Sequence, residues 1–194
     1  MALHALLQHP AYRLHALLTT VTEDFDRISM HGVRCGLLQQ QAASLGLALR
    51  QVLIPRGRAR RLSGAGHRHL RLRGSLPGRH PRLPRSAARL PWHARCYPLW
   101  HRDTALLIRD FIAQRFKTAV VCVDPAKLAP HFVGRVIDAK FLVELPEGVD
   151  PCGENGEFHT FVFDGPIFKS PVGFSFEETV CRDGFWFCDL VPTT

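Results

Sequence analysis

Residues 14–54 read LHALLTTVTEDFDRISMHGVRCGLLQQQAASLGLALRQVLI, and the succession of patterns within them decides the fold class. The mostly apolar run 14–21 suits a short strand buried on both faces, and Val52 and Ile54 mark a second strand. Between them Val33, Leu37, Leu38, Ala42 and Leu45 recur at helical spacing, with Gly46 placed to stop the helix. Strand, helix, strand is the repeating unit of a parallel sheet flanked by helices. The same order returns further along the chain. Asp103 is set to cap a helix whose stripe is Leu107, Ile108, Phe111 and Ile112, and the apolar strand 118–123 follows. An α/β fold is therefore expected.

After Pro125 the texture changes. Gly, Pro and Asp punctuate short aromatic-rich runs at 158–163 and 172–176, and Arg182-Asp183-Gly184 offers turn chemistry before residues 185–191. These features predict a hairpin within a smaller α+β or β-rich domain. No apolar run is long enough to cross a bilayer, and the first residues lack a secretory pattern, so a cytoplasmic address with no membrane partner is expected. Cys35, Cys96, Cys122, Cys152, Cys181 and Cys188 form no C-x-x-C pair and read as free thiols, and His67-Arg-His69 lacks further ligands, so no metal site is expected.

Charge divides the chain sharply. Residues 1–102 hold 17 arginines against 3 acids, a formal +14, whereas residues 103–194 hold 8 basic residues against 14 acids, a formal −6. Twelve arginines fall within residues 56–95, which use only eight residue types and no acid, lysine or β-branched residue. Such a stretch has neither the helical nor the strand period. One reading is a low-order basic arm that binds RNA or another polyanion by phosphate contacts. The other is translation of GC-rich codons in a shifted frame. Codons compatible with residues 72–85 (LRGSLPGRHPRLPR), regrouped with a one-base offset, spell FGDLFLEDIRAYRE, an acidic and amphipathic string.

The richest chemistry lies in residues 147–168, EGVDPCGENGEFHTFVFDGPIF. Glu154 and Glu157 bracket an Asn155-Gly156 turn, with Asp150 and Cys152 before it and His159 and Thr160 after it. If a strand runs from Glu157, its two-residue alternation puts Glu157 and His159 on one face and Thr160 on the other. Acids at a turn can orient an amine or cationic substrate, and a carboxylate near an imidazole can move protons. The plainer reading of the same residues is a capped, solvated turn before an ordinary strand.

The run from Asp150 to Thr160, DPCGENGEFHT, resembles the signature of the diphthine-ammonia ligase family, whose members carry a diphthamide synthase domain and belong to the PP-loop ATP pyrophosphatases. Residues 98–103 (PLWHRD), 120–124 and 132–135 (FVGR) are similar to the family pattern in order, and the shifted-frame string is similar to its segment between the third and fourth parallel strands. Residues 17–34 resemble the end of the family's second strand and the loop beside the nucleotide. The resemblance implies a Rossmann-like (HUP-type) nucleotide domain followed by the smaller domain. It divides the chain into a partial nucleotide domain over 1–55, the Arg/Pro-rich segment 56–96, the end of the nucleotide domain at 97–124, and a substrate-recognition domain at 125–194.

It also implies a reaction: ATP adenylates a carboxylate, pyrophosphate leaves, and ammonia displaces AMP to form an amide. The acceptor is diphthine on elongation factor 2, or a small-molecule carboxylate in other members. Glu154, Glu157 and His159 become the catalytic candidates. Asp150, Cys152, Gly153, Asn155, Gly156 and Thr160 become substrate-binding candidates, and Ser29, Met30, His31 and Gly32 lie on the adenosine side. The family's S-G-G-K-D-S phosphate loop has no counterpart in these residues. The expectation is a truncated, frame-disrupted relative that neither binds ATP nor makes the amide.

Overall fold

The computed structural model describes residues 1–22, 32–54 and 96–193. Residues 56–95, where the basic-arm and shifted-frame readings fall, lie outside the described residues. A short helix, α1 (Ala2–Leu7), opens the chain. Strands β1 (Ala16–Thr22) and β2 (Ala48–Ile54) then pair in parallel, in register from Ala16 opposite Ala48 to Thr22 opposite Ile54. Helix α2 (Cys35–Ser44) connects them, giving the strand-helix-strand unit that the apolar spacing predicts.

The stop after α2 is local chemistry. Gly46 takes φ +67°, its N–H donates to the Ala43 carbonyl and that of Leu47 to the Ala42 carbonyl, so the last turn is closed by a left-handed cap. One expectation fails here. The strand at 14–21 was to be buried on both faces, yet among the described residues Leu18 is 61% and Val52 42% exposed. Both sit on the face that two-residue alternation shares with Ala16, Arg50 and Thr20, while Val21, on the other face, is buried.

Helix α3 (Thr104–Ala113) begins where Asp103 Oδ1 accepts the Leu106 N–H at 2.9 Å, and it buries Ile108 and Phe111 of the expected stripe. Strand β3 (Lys117–Val123) follows and is buried from Thr118 to Val123. Sequence order suggests that it closes the parallel sheet, but its partners are antiparallel: β4 (Phe158–Asp164) on one side and β6 (Phe185–Pro192) on the other. With β5 (Phe174–Arg182) they form a four-stranded sheet in the order β4-β3-β6-β5. The strand read as the end of the nucleotide unit is thus the buried interior strand of the second sheet.

The β5–β6 hairpin turns through Asp183 (φ +50°) and Gly184 (φ +84°), with Arg182 opposite Phe185. Two consecutive left-handed residues match the right-handed twist of the flanking strands. Against the sheet lies α4 (Ala139–Glu144), capped by Asp138, whose carboxylate accepts the Phe141 N–H at 2.8 Å. Its Phe141 is fully buried and meets Phe132 and Phe158 edge to face.

Helix α2 ties the two sheets together. Leu37 is fully buried in the core shared with Val120, Phe141, Phe161 and Leu190. Around it, Arg34 grips Asp189 through two hydrogen bonds of 3.2 and 2.6 Å, Gln41 donates to the Val162 carbonyl, and the Ser44 carbonyl accepts from the Lys169 N–H. The six cysteines are free thiols, and no helix of the described residues is long and apolar enough to cross a membrane.

Candidate functional site

The bend between α4 and β4 is held by two carboxylates turned inward. Glu157, 3% exposed, ends the bend and accepts the Asp150 N–H at 3.0 Å and Asn155 Nδ2 at 3.1 Å on one oxygen, and the Asn155 N–H at 3.0 Å on the other. Burial by itself would push its carboxyl up, but the converging N–H donors outweigh that and hold it below the ordinary glutamate value. Asp150 closes the opposite side: Oδ1 accepts the Cys152 N–H at 2.7 Å and the Glu154 N–H at 3.4 Å, and Oδ2 accepts Thr104 Oγ1 at 2.8 Å. The first turn of α3 is thereby fixed to the bend.

Two glycines are needed by backbone, and the first of them by space as well. Gly153 has φ +71°, and a Cβ there would stand 2.8 Å from the Phe158 carbonyl oxygen. Gly156 has φ +78°, and its N–H donates to the Gly153 carbonyl at 3.0 Å. The Cys152 thiol is pushed up to about 11, first by burial and then by the charges of Asp150 and Glu154, so it stays protonated at neutral pH and donates to the Thr104 carbonyl. Lys127 Nζ donates to the Asn155 carbonyl at 2.7 Å and lies 3.7 Å from Asp124 Oδ2, while the Asp124 N–H donates to the Glu157 carbonyl.

Asp150, Cys152, Gly153, Asn155, Gly156 and Glu157 are therefore one hydrogen-bonded unit, and Glu154 is its exposed carboxylate. His159 and Thr160 stand on adjacent positions of β4, half-buried, opposite Cys122 and Val120. The two alternate faces of the strand. Glu157 spends its carboxylate on Asp150 and Asn155 and not on the imidazole, which makes it a poor proton carrier. Thr104 and Lys127 are the partners that sequence reasoning missed: one is hidden as an ordinary first helical residue, the other as a lone lysine in a loop.

Of the adenosine-side candidates, Ser29, Met30 and His31 lie outside the described residues. Gly32 has φ +66°, and a Cβ on it would come within 3.0 Å of the Phe187 ring. Any side chain at this position would therefore meet the Phe187 ring. Among the described residues no group of three or more His, Cys, Asp or Glu side chains is placed to hold a metal ion.

An antiparallel sheet backed by helices, with an acid-anchored Asn-Gly bend leading into its edge strand β4, defines the class of this module. Residues 103–189 match the family model described as the diphthamide synthase C-terminal domain. The mouse (Mus musculus) protein named diphthine–ammonia ligase is 34% identical over 97 residues, covering 47% of this chain and 36% of that protein. The human (Homo sapiens) protein of the same name is 33% identical over 97 residues with the same coverage, and the zebrafish (Danio rerio) one is 35% identical over 104 residues, covering 51% of this chain and 40% of that protein. The chain spans well under half the length of these relatives.

Proposed function

We propose that the second half of this chain is the acceptor-side module of a diphthamide synthase-like, ATP-dependent amide-forming ligase, in which a carboxylate of diphthine is activated as its adenylate and ammonia displaces AMP. The observation that carries this reading is the bend at 150–157, which lies within the family match and spends Asp150 and Glu157 on its own backbone while leaving Glu154 exposed. A bend fixed by charge-assisted hydrogen bonds presents that free carboxylate at low entropic cost. Glu154 orients ammonia or a cationic group of the acceptor, Asn155 and Thr160 supply polar contacts, and His159 is the candidate for proton transfer. Asp150, Cys152, Gly153, Gly156 and Glu157 act as scaffold.

ATP is the nucleotide expected of the family, and these 194 residues by themselves are expected not to hold it, because they include no S-G-G-K-D-S loop. Two measurements on the full chain test the reading. Elongation factor 2 carrying diphthine should bind the immobilised chain, factor lacking the modification should bind more weakly, and Glu154→Ala should reduce the difference. Equal capture of both forms of the factor would refute the acceptor-side assignment. Titration with ATP should release no binding heat, and low-micromolar binding would refute the nucleotide claim without touching the first.

A further inference from the structure

An asparagine followed by glycine carries its own modification chemistry. The glycine nitrogen, unshielded by a Cβ, attacks the asparagine Cγ; a C–N bond forms, the Cγ–Nδ2 bond breaks, and ammonia departs with the proton that the glycine nitrogen gives up. Water then opens the resulting five-membered imide at either carbonyl, leaving aspartate or its isoaspartyl isomer, so the balance is one water consumed and one ammonia released. Asparagine is for this reason among the thermolabile residues. Asn155-Gly156 has this sequence, and Asn155 is exposed.

Three contacts oppose the reaction. The Gly156 N–H, whose proton the attack must remove, is engaged by the Gly153 carbonyl at 3.0 Å. Asn155 is gripped twice by one carboxylate, through Nδ2 at 3.1 Å and its backbone N–H at 3.0 Å, which fixes the side-chain amide against Glu157. Glu157 is buried, so its negative charge acts through little water on the Cγ carbonyl and disfavours the oxyanion that must form there. We propose that Asn155-Gly156 is a latent deamidation site at the apex of the acidic bend, held closed by the Glu157 carboxylate. Once converted, residue 155 has no side-chain N–H for Glu157 and sets a second carboxylate beside it. The isoaspartyl form also lengthens the backbone inside the Gly153–Gly156 turn, so the change opens the bend in one direction only.

The full chain tests this by peptide mapping, since trypsin releases residues 141–169 as one fragment and the conversion of Asn155 is read there by mass and by isoaspartate assay. Conversion in the native chain should run about tenfold or more slower than in the same chain unfolded in urea, the scale set by losing hydrogen bonds to a charged group. Glu157→Gln should move the folded chain toward the unfolded rate, and Glu154→Ala, which leaves the clasp intact, should keep the slow rate. Should the Gln variant not fold, Glu157→Asp keeps the charge but withdraws it by one methylene and should also accelerate conversion. Equal rates in the native and unfolded chain, or acceleration by Glu154→Ala as large as that by the Glu157 variants, would overturn the proposal.

Discussion

At Glu157 burial and hydrogen bonding act on the same carboxylate in opposite directions. Desolvation disfavours its charge, whereas the N–H donors of Asp150 and Asn155 favour it, and the donors prevail. A group whose carboxyl is held lower in the folded chain stabilises the fold above its ordinary range, here near 4.5, and that contribution is lost as the pH falls through the lower folded value. Glu157→Gln removes the charge and turns an amide N–H toward other N–H groups. It should cost about 2–3 kcal/mol at neutral pH. In denaturant titrations the gap between wild type and variant should narrow on acidification below the ordinary glutamate range. A gap of constant size from neutral to acid pH would show that Glu157 does not titrate as argued.

The elements are held by terminal chemistry as much as by their interiors. Helix α3 ends as α2 does, with the Arg115 N–H donating to Ile112 and the Phe116 N–H to the Phe111 carbonyl, but the left-handed position is filled by an arginine at φ +64°. A side chain with a Cβ is strained there and glycine is not, so Arg115→Gly should raise stability by roughly 1 kcal/mol. A lower melting temperature for that variant would count against the cap. Such local rules are why so much of this level could be read from the residues: Asp103, Gly46 and Asp183-Gly184 each act on neighbours within a few positions. The sheet to which β3 belongs could not be read that way. A run buried on all sides suits the interior of a parallel or an antiparallel sheet equally, and only its distant partners Phe158 and Trp186 decide. The bend misled for a related reason. Alternation placed Glu157 with His159 on a strand, while its real partners are backbone groups two and seven residues back, and Thr104 reaches the bend across 46 positions.

On the scale of the molecule, α2 belongs to two layers at once: it connects the parallel pair and inserts Leu37 among the residues of the antiparallel sheet. Truncating Leu37 to alanine should cost about 2–5 kcal/mol, because the site is enclosed and cannot collapse. Near-ultraviolet circular dichroism of a chain in which Trp92 and Trp100 are changed to phenylalanine, leaving Trp186 as the reporter, should then show the four-stranded sheet melting earlier, rather than an isolated loss of the first strands. An unchanged Trp186 transition in Leu37→Ala would separate the two layers. The shared core has a practical corollary for anyone dissecting the chain. A fragment severed at the family boundary near residue 103 would forfeit the plug supplied by Leu37, strand Asp189 without its guanidinium counterpart, and leave a greasy socket facing water. The smallest piece able to stand alone therefore has to borrow its closing helix from upstream of the region by which its relatives are recognised.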